Sequence, residues 1–264
     1  MPNQELSSAT GRIKHIRALN ARTAHLDLTR LNECKEAVWK SYEAASLLPH
    51  VAVVAKEQSI QAAGFKSIGI RQLIYLREFN ASNYYWGSYF SDVGRAIASG
   101  ERRYLQAEIL RQVNPDSEMI SRSSPDFSIL TRLIDSMIGS GLSPDAMLAP
   151  IDVFVDFVKT FTSQIDWNVG HPEQLVLRNT RLKVFWSHIH APLNSFIVFS
   201  STAGIWHVIP DEDSDRLLTV ALGESKQHSG SIEYWVETLV RYQITSPQAF
   251  LVLNLSGEPT EPQT

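Results

Sequence analysis

The sequence contains very little cysteine: Cys34 is the only one among its 264 residues. A single thiol cannot form a disulfide within the chain, which excludes the disulfide-rich folds of small secreted proteins and fits a reducing compartment. Long apolar runs are also missing, so no segment is expected to span a membrane. The start of the chain lacks a continuous apolar stretch as well, and no signal peptide is predicted.

A large excess of charge is absent too. The net charge of −4 provides no overall attraction to nucleic acid or to anionic membranes. Basic residues nevertheless outnumber acidic ones near the amino terminus, where they are Arg12, Lys14, Arg17, Arg22 and Arg30. The sequence therefore predicts a basic arm over residues 1–24. Two interpretations stay open: a solvated terminus, or an arm that contacts an acidic neighbour or nucleic acid.

The motifs of common enzyme classes are missing. The chain has no dinucleotide-binding or phosphate-binding glycine loop, no Gly-x-Ser-x-Gly and no His-Glu-x-x-His. One histidine pattern resembles the start of a cupin metal site, because His188 and His190 are two residues apart and His207 lies on a nearby predicted strand. The glutamate and glycines of a cupin are lacking, so no cofactor is predicted. A metal-dependent enzyme using these three histidines is kept as an alternative.

The sequence does contain helical patterns first and strand patterns later. Helices are expected from about Leu28 to Pro49, from Val93 to Val113 and from Ser128 to Ile138, with another around Phe157. After residue 175 the apolar period changes to two, which is typical of strands. The candidate strands are Leu175–Leu177, Leu182–Trp186, Ser195–Ser200, Gly204–Ile209, Leu217–Leu222, Ile232–Gln243 and Ala249–Leu255. This order predicts an α+β protein.

Residues 49–91 are predicted to form an extended, two-stranded loop that is basic and aromatic. Such a loop is hard to stabilise alone and needs a surface to lie on. Arginine and aromatic side chains are typical anchors of protein–protein interfaces. The predicted subunit-interface residues are Arg71, Arg77, Tyr84, Tyr85, Trp86, Tyr89 and Phe90.

The order of these parts resembles the shell-protein fold shared by tailed-phage major capsid proteins and encapsulins. Asp92-Val-Gly-Arg-Ala-Ile-Ala-Ser-Gly-Glu-Arg-Arg103 is similar to the start of the spine helix of that fold. Leu142-Ser-Pro-Asp-Ala-Met-Leu-Ala-Pro150 resembles its entry into the axial region. The strands between Ile232 and Leu255 resemble its closing strands. No residues that cross-link subunits in some members can be matched.

The resemblance implies an α+β, phage-capsid-like shell fold in five parts. These are an arm and helix in 1–48, an extended loop in 49–91, a peripheral domain with the spine helix in 92–140, a mainly axial domain in 141–230, and closing peripheral strands and tail in 231–264.

The resemblance also implies a function without enzymatic activity. The chain would be a self-assembling icosahedral shell subunit, namely a phage or prophage major capsid protein enclosing DNA. An encapsulin-like compartment enclosing cargo protein is the alternative. The implied partners are other copies in pentamers and hexamers; portal, scaffold and cement proteins; weakly contacted packaged DNA; and no membrane. The implied location is the virion, after assembly in the cytoplasm of a bacterial host.

Overall fold

The chain divides into two units, each with its own hydrophobic core. The computed structural model describes residues 9–48, 53–56, 64–81, 85–166, 173–177, 180–187, 193–211, 214 and 216–257. The first unit comprises Met1–Ser46, Ala55–Ala98 and His207–Arg241; the second comprises Leu47–Val54, Ser99–Trp206 and Tyr242–Thr264. Within the described ranges, no helix is both long and apolar enough to cross a bilayer.

The elements mix helices and strands, as expected for an α+β protein. In chain order they are α1 (Ala9–Asn20), α2 (Leu28–Ala45), β1 (Val53–Lys56), β2 (Lys66–Tyr75), α3 (Leu76–Asn80), α4 (Trp86–Gln112), β3 (Met119–Ser121), α5 (Ser128–Gly139), β4 (Ala146–Ala149), α6 (Phe154–Phe161), β5 (Ile165–Asp166), β6 (Glu173–Leu177), β7 (Thr180–Trp186), β8 (Ser195–Phe199), β9 (Gly204–Ile209), β10 (Thr219–Glu224), β11 (Ser231–Ile244) and β12 (Phe250–Ser256). Short 3₁₀ turns precede α6, β9 and β12.

The long strand β11 organises the first unit. It is flanked by β2 and β10, both antiparallel to it, and β1 and β9 belong to the same sheet. Ile232, Tyr234 and Val236 point to one face, where they pack into the core with α2 and α4. Glu233, Trp235 and Glu237 alternate with them and therefore lie on the opposite face.

Helix α4 begins at Trp86, seven residues before the predicted start at Val93. Trp86, Phe90, Val93 and Ile97 recur at helical spacing and are all buried in the first core. The aromatic run was therefore wrongly interpreted as extended. Its period of three to four residues indicates a helix that turns one apolar stripe toward the core.

Residues 1–24 were predicted to be a basic arm without a helix, but Ala9–Asn20 forms helix α1. The prediction was wrong because α1 has only a narrow apolar stripe. Leu19 is fully buried and Ile16 is partly buried, and both pack against Ala221 and Trp235 of the sheet. Helices this short are marginal alone, so the tertiary contact stabilises α1.

The second unit contains a seven-stranded sheet in the order β3-β12-β8-β4-β7-β6-β5. Strand β12 lies between β3 and β8, and its backbone is paired on both sides. An aromatic cluster covers the sheet: Phe127 packs edge-on against Phe157 and Phe196, at ring-centroid distances of 5.3 and 5.9 Å. The strand predicted after Pro247 is thus a buried interior strand.

Candidate assembly surface and carboxylate strip

Two of the predicted interface residues are core residues of the first unit. Trp86 is 7% exposed and Phe90 is fully buried. Phe90 packs edge-on against Tyr234 with ring centroids 5.3 Å apart. Both rings are buried in the core of the subunit, so neither side chain is accessible to a second subunit. Tyr84 lies outside the described residues.

Tyr89 lies at the edge of this cluster and is held by hydrogen bonds. Its hydroxyl is 2.6 Å from that of Tyr234, and Oε1 of Gln72 lies 3.1 and 2.8 Å from the hydroxyls of Tyr89 and Tyr234. The two hydroxyl protons make two of these three contacts, so one hydroxyl donates to Gln72 and the other donates either to the same oxygen or to its neighbour. Burial raises the pKa of Tyr234, with a further contribution from Tyr89, so the Tyr234 phenol stays neutral. The arrangement ties α4 to β2 and β11 within the first unit.

The remaining predicted residues do reach the surface. Tyr85 is 80% exposed, and the Arg77 guanidinium lies 5.5 Å from the ring of Tyr75. Two further apolar residues of β2, Tyr75 and Leu73, are 60% and 46% exposed, although neither was predicted as an interface residue. The missed signal is the alternation along this strand: the odd-numbered residues from Arg71 to Tyr75 face away from the α2–α4 core.

Strand β2 is also an edge strand among the parts of the chain that are described, where it pairs with β11 alone. An edge strand presents unpaired backbone N–H and C=O groups that can pair with another chain. We call Leu73, Tyr75 and Arg77 the β2 surface. It combines apolar area, one guanidinium and an available strand edge.

The other notable feature is a row of nearly buried acidic residues on β11. The side chains of Glu233 and Glu237 are each about 5% exposed. We call these two residues, with Trp235 between them, the carboxylate strip. Buried carboxylates require partners, because desolvation of an unpaired charge is costly.

Glu233 receives its partners from two different elements. Nε of Arg71, on β2, donates to Oε1 at 2.6 Å, and Nε2 of His15, on α1, lies 2.9 Å from the same oxygen. Glu237 is paired with Arg12 of α1 and accepts a hydrogen bond from the hydroxyl of Ser67 on β2. Helix α1 thus supplies one basic partner to each carboxylate.

The basic side chains that pair with Glu233 and Glu237 also surround the ring of Trp235. The guanidinium carbons of Arg12 and Arg71 lie 6.0 and 5.3 Å from the ring centroid, and the His15 ring is 5.4 Å away. Guanidinium groups at this distance are attracted by the negative face of an indole. The arrangement is a structural clamp. Among the described residues, each carboxylate of the strip is already paired with basic side chains and is not poised to act as a nucleophile or general base.

Helix α1 can approach the strip because β10 has small residues opposite it. Gly223 pairs with Glu233 and Ala221 with Trp235 across the sheet. A methyl group at Gly223 would lie 1.9 Å from the carbonyl oxygen of Leu19. Only glycine permits this contact between the strand and the backbone of α1.

The charges of the strip predict a pH dependence. Burial alone would raise the pKa of Glu233, but the hydrogen bonds from His15 and Arg71 and their charges outweigh it and hold the pKa below its ordinary value of 4.5. The charged groups facing this carboxyl are Arg12 and His15 from α1, Arg71 from β2, and Glu237 on β11 itself. A lowered pKa stabilises the folded state above pH 4.5, and this stabilisation is lost as the pH falls through the lowered value.

We therefore expect Glu233→Gln to flatten the decline of stability in acid. Its free energy of unfolding, measured by chemical denaturation between about pH 6 and pH 3, should fall less steeply than that of the unmodified chain, because one proton-linked group is gone. Glu43→Gln, at an exposed position of α2, is the control and should leave the slope unchanged. Parallel pH profiles for Glu233→Gln and the unmodified chain would contradict the expectation.

The histidine metal site that was kept as an alternative stays a hypothesis, because only one of its three histidines lies in the part of the chain that is described. His207 lies on β9, while His188 and His190 are outside the described residues. No group of three or more histidine, cysteine, aspartate or glutamate side chains with metal-binding geometry occurs within the described ranges. Cys34 is buried, and burial raises its pKa to about 12, which keeps the thiol protonated.

Comparison with known proteins identifies the fold. No family model and no curated protein sequence matches the chain. A virus-like particle from Pyrococcus furiosus, known from a crystal structure, matches with a TM-score of 0.54 and 16% identity over 84% of this chain and 98% of that one. Lower-scoring matches include the capsid of cyanophage P-SCSP1u (TM-score 0.49, 11% identity, 81% and 89% of the chains) and the SrpI encapsulin of Synechococcus elongatus PCC 7942 (0.47, 13%, 80% and 90%). The chain thus shares the fold of this virus-like particle protein, in agreement with the shell-protein fold expected from the order of its elements.

Proposed function

We propose that the protein is a self-assembling subunit of a closed icosahedral shell and acts without enzymatic activity. The observation that carries the proposal is the shared fold with a protein that forms a virus-like particle, matched over almost its whole length. We further propose that the shell is the capsid of a phage or prophage and encloses DNA. Portal, scaffold and cement proteins would then be its additional partners, and the virion its final location.

The physical properties of the subunit support assembly. A closed shell repeats the same heterologous contacts on every copy, so each subunit needs complementary surfaces that its own fold leaves open. The β2 surface has this character, because Leu73 and Tyr75 are exposed beside a strand edge that no other described strand pairs with. We propose that a second copy of the chain covers it. Individually weak contacts of this kind add up when many subunits engage at once.

The exposed basic residues of α1 support the proposal that the shell encloses DNA. Lys14 and Arg17 lie on the exposed side of α1, away from the carboxylate strip. The net charge of the chain is −4, so contact with packaged DNA would be local and weak rather than general.

Electron microscopy and sedimentation of the purified protein test the function. We expect large hollow particles of uniform size. Particles that contain DNA would support the capsid, and particles that contain a co-purifying protein without nucleic acid would support the encapsulin-like alternative. A monomer that persists across protein concentrations and salt conditions would contradict the shell function altogether.

A paired substitution tests the β2 surface separately. Leu73→Ser with Tyr75→Ser removes exposed apolar area and leaves the core intact, so the subunit should stay folded but form at least about tenfold fewer particles, since aromatic anchors dominate interface energies. Val155→Ser changes an equally exposed apolar residue (60%) in the second unit and is the control. If the double variant assembles normally while the unmodified chain forms particles, the β2 surface is not an interface, and the shell function stands.

A further inference from the structure

The two halves of helix α1 are attached to the first unit by different kinds of contact. The amino-terminal half is held by charge: Arg12 pairs with Glu237, and His15 with Glu233. The carboxy-terminal end is held by packing and backbone contacts. Leu19 is fully buried, and the carbonyl of Arg22 accepts a hydrogen bond from the backbone N–H of Glu224 at 2.7 Å.

Asn20 strengthens the carboxy-terminal attachment. Its Oδ1 accepts from Nζ of Lys35 at 2.8 Å and from the backbone N–H of Leu222 at 3.4 Å. These partners come from α2 and β10, so the end of α1 is fixed to both a helix and the sheet. None of these contacts involves Glu233 or Glu237, so neutralising either carboxylate of β11 should leave this end of α1 in place.

We propose that α1 is a charge-controlled flap. Its amino-terminal half opens away from β11 while the Leu19–Arg22 end stays anchored, and opening uncovers Glu233, Trp235 and Glu237. The uncovered strip is an indole between two carboxylates, which fits a basic peptide segment. In the closed state α1 occupies this surface and blocks it.

The closed state is sensitive to charge because both ion pairs of α1 lie in this half, whereas the fully buried Leu19 lies at the other end. Arg12 and His15 are each 21% exposed, so water and ions reach the basic members of both pairs. Isolated short helices are marginal, and the released half would lose its helical hydrogen bonds. Raising the salt from about 0.1 M to about 1 M shortens the screening length from about 10 Å to about 3 Å and should favour opening.

Residue-resolved hydrogen exchange on the full chain measures the flap. The informative amides are those of residues 13–16, which donate within α1, against those of Ala21 and Arg22 at the anchored end. In Glu237→Gln we expect the first group to exchange about tenfold faster, the factor lost with one charge-assisted hydrogen bond, and the second group to be unchanged. Glu233→Gln should give the same pattern.

Three variants distinguish charge from general destabilisation. Asp92→Asn removes an exposed ion pair with Arg95 on α4, made at 2.6 Å, and should change neither group of amides. Arg12→Glu combined with Glu237→Arg restores the opposite charges and should recover the protection that either single change loses. Gly223→Val places a side chain against the carbonyl oxygen of Leu19 at the anchored end. It should therefore accelerate the exchange of both groups of amides.

Two outcomes would overturn the flap. Unchanged exchange of residues 13–16 in both glutamate variants would mean that charge does not hold this half of α1. Equal acceleration of both groups of amides would mean that α1 moves as a single rigid block. Neither outcome bears on particle formation, so the proposed shell function is tested independently.

Discussion

Gly94→Ala should destabilise the subunit by about 2 kcal/mol. A methyl group at this position of α4 would lie 2.2 Å from Oγ of Ser41 and 2.4 Å from the carbonyl oxygen of Val38, so α2 and α4 would have to separate. Overpacking of this kind costs about 3 kcal/mol, and the higher helix propensity of alanine returns about 1 kcal/mol. Chemical denaturation at a fixed protein concentration measures the difference.

Gly139→Ala is the matched control, because it also replaces a helical glycine. Nothing lies within 4 Å of a methyl group there. The stability should stay the same or rise by up to about 1 kcal/mol. If both substitutions had the same effect, the close approach of α2 and α4 would not be what requires Gly94. Gly94 is thus expected to stabilise the packing of α4 on α2, although glycine has a low helix propensity.

Arg122→Leu should destabilise the second unit by about 3–5 kcal/mol, the cost of leaving a buried charge without its partner. The side chains of Arg122 and Asp152 form an ion pair and are 5% and 7% exposed. Arg122 also donates to Oδ1 of Asn194 at 2.9 Å and to the carbonyl oxygen of Leu193. Its replacement strands Asp152 in an apolar environment. The free energy of unfolding from denaturant titration gives the effect.

A double-mutant cycle separates the pair from its surroundings. Asp152→Leu alone should also be strongly destabilising, whereas Arg122→Leu combined with Asp152→Leu should recover most of the loss, since apolar replacements of a buried ion pair are often neutral. Arg132→Leu, which breaks an exposed pair with Glu118, is the control and should have little effect. Additive losses in the cycle would contradict a direct interaction.

Strand patterns were predictable from the sequence because they depend on local alternation. The predicted strand Ile232–Gln243 is β11, Ser231–Ile244, and its alternating apolar residues Ile232, Tyr234 and Val236 line the core of the first unit. The predicted helix from Ser128 to Ile138 likewise corresponds to α5. In both cases one apolar face repeats at the period of its own element, so the pattern and the packing agree.

The aromatic run at the start of α4 shows where local patterns were ambiguous. Several adjacent aromatic residues satisfy a strand and a helix equally well when only their composition is considered. The structure resolves this by burying Trp86 and Phe90 against Tyr234, which leaves exposed residues of β2 as the candidate interface. Leu73 and Tyr75 are apolar yet exposed, a property that depends on which elements cover the strand.

The sequence by itself determined the α+β class, the order of helices and strands, and the resemblance to shell proteins, because these follow from local periodicity and chain order. Only the tertiary structure decided that α1 is a helix and that Glu233 and Glu237 are clamped by Arg12, His15 and Arg71. Those partners come from α1 and β2, which are more than 150 residues away along the chain. Pairing over such separations is set by the packing of whole elements, and no local pattern encodes it.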